Sequence, residues 1–362
     1  MAYKGLFNTE KSDYTKNPLF LGEDLGLHDS VNIQYPELEA LYRQAVAQNW
    51  SDKEFDFSRD AKQFAENSTE AQMMIDTIAT QWEMDSVASR SMLSLLAPFI
   101  TNTELYELVA FNSYIECLHS LSYSEIVRNA FPNPKKVIDD IISKEEAMTR
   151  ATLIGQVMED LYVVGHKYAL GQLTKEEVFP TLYKGIVALF LLERGQFIAS
   201  FAITFALGEA GMFQECAAAI RKIAADELQI HASADVVMLR ELRKMGYWED
   251  YKDDEEFQSS IQAFVEEVYQ GELIWTEQLF KDRGSLCGLS CQDIKDWVTF
   301  CFQIIKQELD LPVEITIKEN PLPYMEKWLS LNNVQQANQE TTSLAYLLDA
   351  TKDDSAEAEF DF

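Results

Sequence analysis

Positive charge is in short supply along this chain. Its 362 residues carry 60 Asp and Glu against 30 Lys and Arg, a formal net charge of −30. Such a surface repels phosphate backbones, so direct nucleic-acid binding is not expected. Cysteine is also sparse. Cys117, Cys216, Cys287, Cys291 and Cys301 are scattered, and the Cys287–Cys291 spacing lacks the second pair that a thiolate metal site needs. All five read as reduced thiols of a cytosolic protein. No Gly/Ser linker, low-complexity block or internal repeat marks a second domain. The apolar stretches are broken by charges, so no membrane span is expected. Met1-Ala-Tyr-Lys-Gly-Leu-Phe lacks a signal-peptide core, and neither a GxxxxGK[ST] loop nor a Rossmann fingerprint occurs.

Hydrophobic residues make up 47% of the chain, enough for a sizeable core. A helical period starts at Pro36 and recurs over roughly 58–66, 69–96, 102–130, 144–171, 174–207, 212–246, 255–283 and 291–309. Ser68 and either Thr101 or Thr103 are candidate N-caps. Pro132 and Pro134 stop the helix before them. Strand alternation is scarce, and Val313–Lys318 is its best short candidate. The pattern predicts an all-α protein, a long helix bundle with peripheral helices. Three regions are expected: an irregular segment, 1–34, wrapping the surface; a helical domain, 35–330; and a polar, acidic tail, 331–362. Tyr346, Phe360 and Phe362 are apolar anchors in that tail, as suits a segment that folds on a partner.

Histidine is rarer still, with four residues in all. Two of them follow a glutamate by one helical turn: Glu116-Cys-Leu-His119 and Glu227-Leu-Gln-Ile-His231. Positions three or four apart share a helix face, because a helix turns about 100° per residue. Asp85 and Glu193 are two further acids on strongly apolar helices. Four buried carboxylates without cations are prohibitively expensive, whereas two divalent ions neutralise them. Carboxylates plus imidazoles, with no thiolate, suit iron or manganese and match the ligand set of a dinuclear carboxylate bundle. His28 and His166 lie outside this set and read as surface or structural residues.

These residues, in this order, resemble the small β subunit of class I ribonucleotide reductase. The most specific block is Glu116-Cys-Leu-His119-Ser-Leu-Ser-Tyr123-Ser-Glu-Ile-Val-Arg-Asn129, and the likeness runs through Asn17-Pro-Leu-Phe-Leu-Gly, Phe55-Asp-Phe-Ser-Arg-Asp, the Glu193 and Asp226-Glu227 helices and the tail. The resemblance implies a ferritin-like bundle. Asp85, Glu116 and His119 would bind one metal and Glu193 and His231 the other, with Glu116 and Glu227 bridging. Two metals, iron first and manganese second, would use O2 to make a radical on Tyr123, shielded by Phe197, Phe201 and Ile223. Trp50, Asp226 and Tyr346 would conduct the radical to a separate large subunit docked through the tail, which reduces ribonucleotides to deoxyribonucleotides. A cytoplasmic homodimer is implied, bound neither to nucleic acid nor to membrane. The alternative is another ferritin-like di-metal oxidase or an iron-storage protein, which needs neither Trp50 nor Tyr346.

Two positions depart from that family's pattern. Ala225 stands where many members have arginine. Glu227 and His231 are four apart where the family usually has three. If both still face the metals, one residue must be absorbed locally, and a π-type turn is expected near them. Val236, Val237 and Leu239 downstream are expected to keep facing the core.

Overall fold

The computed structural model describes residues 8–10, 13, 16–142 and 145–330. Its contacts divide the chain into Met1–Leu329 and Ser330–Phe362. Tail residues 331–362, with Tyr346, Phe360 and Phe362, lie outside the described residues.

The first unit is helical, in keeping with the 3.6-residue period. Its elements are α1 (Pro36–Ala47), α2 (Ser58–Ala65), α3 (Thr69–Leu96), α4 (Thr103–Ala130), α5 (Pro134–Ile142), α6 (Glu145–Ala169), α7 (Lys175–Leu191), α8 (Ile198–Glu209), α9 (Gln214–Ala225), α10 (Ala232–Leu242), α11 (Glu255–Phe280), α12 (Cys291–Glu308) and α13 (Tyr324–Leu329). α7 runs into α8 through a π-turn at Leu192–Gln196, and α9 into α10 through a second at Asp226–His231. α3, α4 and these two interrupted helices form the central bundle. α3 lies against α4, α6 and α8, and α7 against α6 and α10.

Local chemistry sets the helix ends. Ser68 accepts from Ala71 N and opens α3, and Thr174 with Glu177 forms a capping box for α7. The cap of α4 is Asn102, which accepts from Leu105 N, and neither Thr101 nor Thr103. Thr101 is drawn away instead: its hydroxyl donates to Pro18 O and accepts from Gly22 N. The proline pair ends α4 as expected, but Pro134 also starts α5, because proline tolerates a first turn that has no N–H partners to offer. Phe213 adopts φ +48 before α9, with its N–H held by Gln63 Oε1.

Two expectations are corrected. The 313–318 segment is not a strand, and no strand occurs among the described residues. Its backbone is pinned by one side chain: Gln303 Oε1 accepts from Thr316 N and Ile317 N, and Gln303 Nε2 donates to Ile317 O. The amide mimics a neighbouring strand, so the alternating sequence is satisfied without a ladder. The N-terminal segment does more than wrap the surface. Leu19, Phe20 and Leu21 are buried, with Leu21 N bonded to Phe99 O and Thr101 N to Leu19 O.

Lys175–Glu209, α7 and α8 taken together, is long and apolar enough to cross a membrane by composition, yet 94% of its apolar window is buried inside the protein. Those residues are core. Gly185 lets α6 approach α7, since a Cβ there would meet Leu161 Cδ2 at 2.5 Å.

Candidate metal centre

Four helical elements deliver the six candidate ligands. Asp85 comes from α3, Glu116 and His119 from α4, Glu193 from the first π-turn, and Glu227 and His231 from the second. All six are buried. In the second π-turn Ala232 N bonds back to Glu227 O, five residues earlier. Such a turn holds one residue more than an α-turn. It absorbs the extra position and keeps the flanks in register: Val237 and Leu239 are buried, although Val236 is exposed.

The ligand atoms converge. Asp85, Glu116, His119 and Glu227 each offer an atom to a group within 4.8 Å, and Glu116, Glu193, Glu227 and His231 do the same. Glu116 and Glu227 belong to both. Several approaches are short but not aligned as hydrogen bonds. His119 Nδ1 lies 2.8 Å from Glu227 Oε1, yet neither atom makes a hydrogen bond. His231 Nδ1 lies 3.0 Å from Glu116 Oε1, which also makes none. Both oxygens of Asp85 and of Glu193 are buried without hydrogen bonds. Within the cluster His231 Nδ1 and Glu227 Oε2 are in hydrogen-bond contact at 3.1 Å, and the remaining atoms crowd together without bonding one another, aimed at shared points between them. Buried polar groups are otherwise almost always satisfied. The residues present therefore fit two metal ions.

The protonation pattern points the same way. Burial, then the Glu227 charge, raises the carboxyls of Asp85, Glu116 and Glu193, with Asp85 and Glu193 well above the usual range. Glu227 is driven well below it: burial opposes its charge, but the adjacent Glu193 carboxyl and both imidazoles outweigh that. Burial also works against charge on the histidines. Glu227 foremost outweighs it, holding His119 well above the ordinary range and His231 up to about 10. Without metal, protons do the neutralising that cations otherwise do.

Around this cluster, Trp50 Nε1 donates to Asp226 Oδ2 at 2.8 Å, and the same oxygen lies 3.1 Å from His119 Nε2. The Trp50 and His119 rings stack with centroids 6.1 Å apart. Tyr123 sits on α4 one turn beyond His119, fully buried, and its hydroxyl makes no hydrogen bond. Burial, then the Asp85 carboxylate, holds this phenol well above its usual range. Phe197, Phe201 and Ile223 are all buried, and the two phenylalanines stack at 5.3 Å. His28 pairs with Glu107 at the surface and His166 Nδ1 meets Tyr162 O, so neither joins the cluster.

The family model for the ribonucleotide reductase small chain matches residues 28–321. The chain belongs to the ribonucleotide reductase small-chain family. A ribonucleoside-diphosphate reductase 1 subunit beta of Escherichia coli O157:H7 is 30% identical over 96% of each chain. A ribonucleotide reductase subunit of Clostridium botulinum superposes with TM-score 0.78 at 20% identity, over 91% of this chain and 99% of that one. The dimanganese(II)-NrdF of Streptococcus sanguinis superposes with TM-score 0.68 at 14% identity, over 86% of this chain and 100% of that one. Small chains of this family generate the radical of an oxidoreductase and work with a large subunit, and the ferritin-like fold is shared.

Two features of this small chain escape sequence reasoning. The π-turn at Glu193 has no spacing anomaly to betray it. Asp235, one turn beyond His231, is buried on α10. Its signal was the one that exposes Glu193, an acid within an apolar run, here Ala232-Ser-Ala-Asp-Val-Val-Met-Leu239.

Proposed function

We propose that Asp85, Glu116 and His119 would hold one metal ion and Glu193 and His231 the other, with Glu116 and Glu227 common to both. Iron is the metal of first choice and manganese the second, since both take these ligands. The carrying observation is the convergence of buried carboxylate oxygens, most of them without hydrogen bonds, and of two ring nitrogens on two groups that share Glu116 and Glu227. When bound, the ions supply the reduction of O2 and the one-electron oxidation of Tyr123. The chain's own residues do the rest. Tyr123 is kept a neutral phenol by burial and by Asp85, so its proton leaves with its electron, and Asp85 stands beside the hydroxyl to receive it. Phe197, Phe201 and Ile223 exclude water and reductants from the resulting radical.

Transfer outward runs from His119 through Asp226 to Trp50, along the two hydrogen bonds to Asp226 Oδ2, and then to Tyr346. The acidic tail, with Phe360 and Phe362, docks on the large subunit, and the active form is a cytoplasmic homodimer. An oxidase or a storage protein has no use for a buried indole tied to a ligand histidine, and this favours the reductase reading.

The test is reconstitution of apoprotein with Fe(II) and O2, or with Mn(II), followed by metal counting and electron paramagnetic resonance. Two metals per chain and a tyrosyl signal are expected. Tyr123→Phe should keep the metals and lose both the signal and turnover with the large subunit. A tyrosyl signal that survives in this variant would place the radical elsewhere.

A further inference from the structure

The two histidines of the cluster share one arrangement on their inner edge. His119 presents Nδ1 to Glu227, and His231 presents Nδ1 to Glu116 and Glu227. On the outer edge, His119 Nε2 meets the Asp226 carboxylate. A histidine that binds metal through one nitrogen nearly always gives its other N–H to a carboxylate, a carbonyl or a water, which fixes the tautomer and the ring plane.

For His231 the surroundings narrow the choice. His231 ends the second π-turn, which lies against α9, α1 and the first π-turn, and α10 lies against α7 and α1. The buried face of α9 carries no acid, and Glu193 of the first π-turn stands on the Nδ1 side of the ring, at 4.0 Å. The buried face of α7 from Val178 to Leu191 is apolar except for Tyr183, whose hydroxyl is taken by Arg243 Nε. The buried residues of α1 are Leu38 and Ala45. On α10 itself, Asp235 is four residues beyond His231, on the same helix face. A helical side chain leans back over the preceding turn, which brings this carboxylate toward the ring. Asp235 Oδ2 is buried and makes no hydrogen bond.

We infer that Asp235 is a positioning residue for His231, its carboxylate taking the outer Nε2–H, directly or through one water, and holding Nδ1 toward the second metal. This rests on the ligand assignment proposed above. The electrostatics agree: burial pushes the Asp235 carboxyl well up, and His231 is the charge that opposes the push. Asp235 does for the second histidine what Asp226 does for the first, without a link to an indole.

The test is Mn(II) titration of full-length apoprotein, reading free Mn(II) by electron paramagnetic resonance. Wild type should bind two ions. Asp235→Leu should weaken one of them by about 10- to 100-fold, and Asp235→Asn, which keeps an acceptor oxygen, should recover part of the loss. In Zn(II)-loaded wild type labelled with 15N-histidine, His231 should carry its proton on Nε2 in a hydrogen bond, a readout that needs no variant to fold. Equal affinity of wild type and Asp235→Leu for both ions, or a His231 proton on Nδ1, overturns this inference alone. A wild type that binds no Mn(II) overturns the ligand assignment and this inference with it.

Discussion

Tyr123 differs from Tyr183 and Tyr324 in what its hydroxyl touches. Tyr183 accepts from Arg243 and Tyr324 donates to Ala202 O, whereas the Tyr123 hydroxyl makes no hydrogen bond. Tyr324→Phe should therefore cost about 0.5–1.5 kcal/mol in denaturant unfolding. Tyr123→Phe, which loses no such bond, should cost less. The same unbonded cluster predicts a pH effect. His231 is held up to about 10, and Asp85 and Glu193 are also raised, so the metal-free site is protonated at neutral pH. Metals need deprotonated ligands, so each ion must displace protons. Apparent Mn(II) affinity should rise with pH through the neutral range toward about 10 and fall on acidification, with protons released on binding. A calorimetric titration in buffers of different ionisation enthalpy reads that release, and a pH-independent affinity would contradict the assignment. Asp226→Ala should cut turnover with the large subunit by about 10- to 100-fold while leaving most of the tyrosyl yield, because it severs Trp50 from His119 without removing a ligand.

Among the elements, the Asp226–His231 turn shows how an added residue is tolerated. An α-helix forced to carry it would rotate everything downstream by about 100°. The π-turn confines the change, at the expense of poorer local bonding. Deleting Gln229 should restore an α-helical turn with the three-residue Glu–His spacing. It would also remove the bond from Gln229 Nε2 to Leu329 O. Two metals should still bind, as counted after reconstitution; loss of one would mean that the π geometry itself is required. Caps act independently of the site. Ser68→Ala removes the acceptor for Ala71 N and should lower unfolding free energy by about 1 kcal/mol with metal content unchanged.

At the scale of the whole molecule, deletion of residues 347–362 should leave metal binding and radical formation intact, because all six proposed ligands lie between Asp85 and His231. Affinity for the large subunit should fall. Undiminished affinity would assign docking to the helical body.

The sequence by itself determined the helical class, the two Glu–His pairs and the place of Asp85 and Glu193, because a 3.6-residue period and an acid in an apolar run are local signals. It also carried the demand for a π-turn near Glu227, since four residues cannot replace three on an otherwise regular helix. The tertiary structure decided what no local signal encodes. The Gln303 amide kept 313–318 from needing a strand partner, and Thr101 was diverted to the N-terminal segment, leaving Asn102 to cap α4. It brought Asp226 between Trp50 and His119, residues 176 and 107 positions away from it in the chain. Each of these depends on which distant atoms meet, and chain-local periodicity does not specify that.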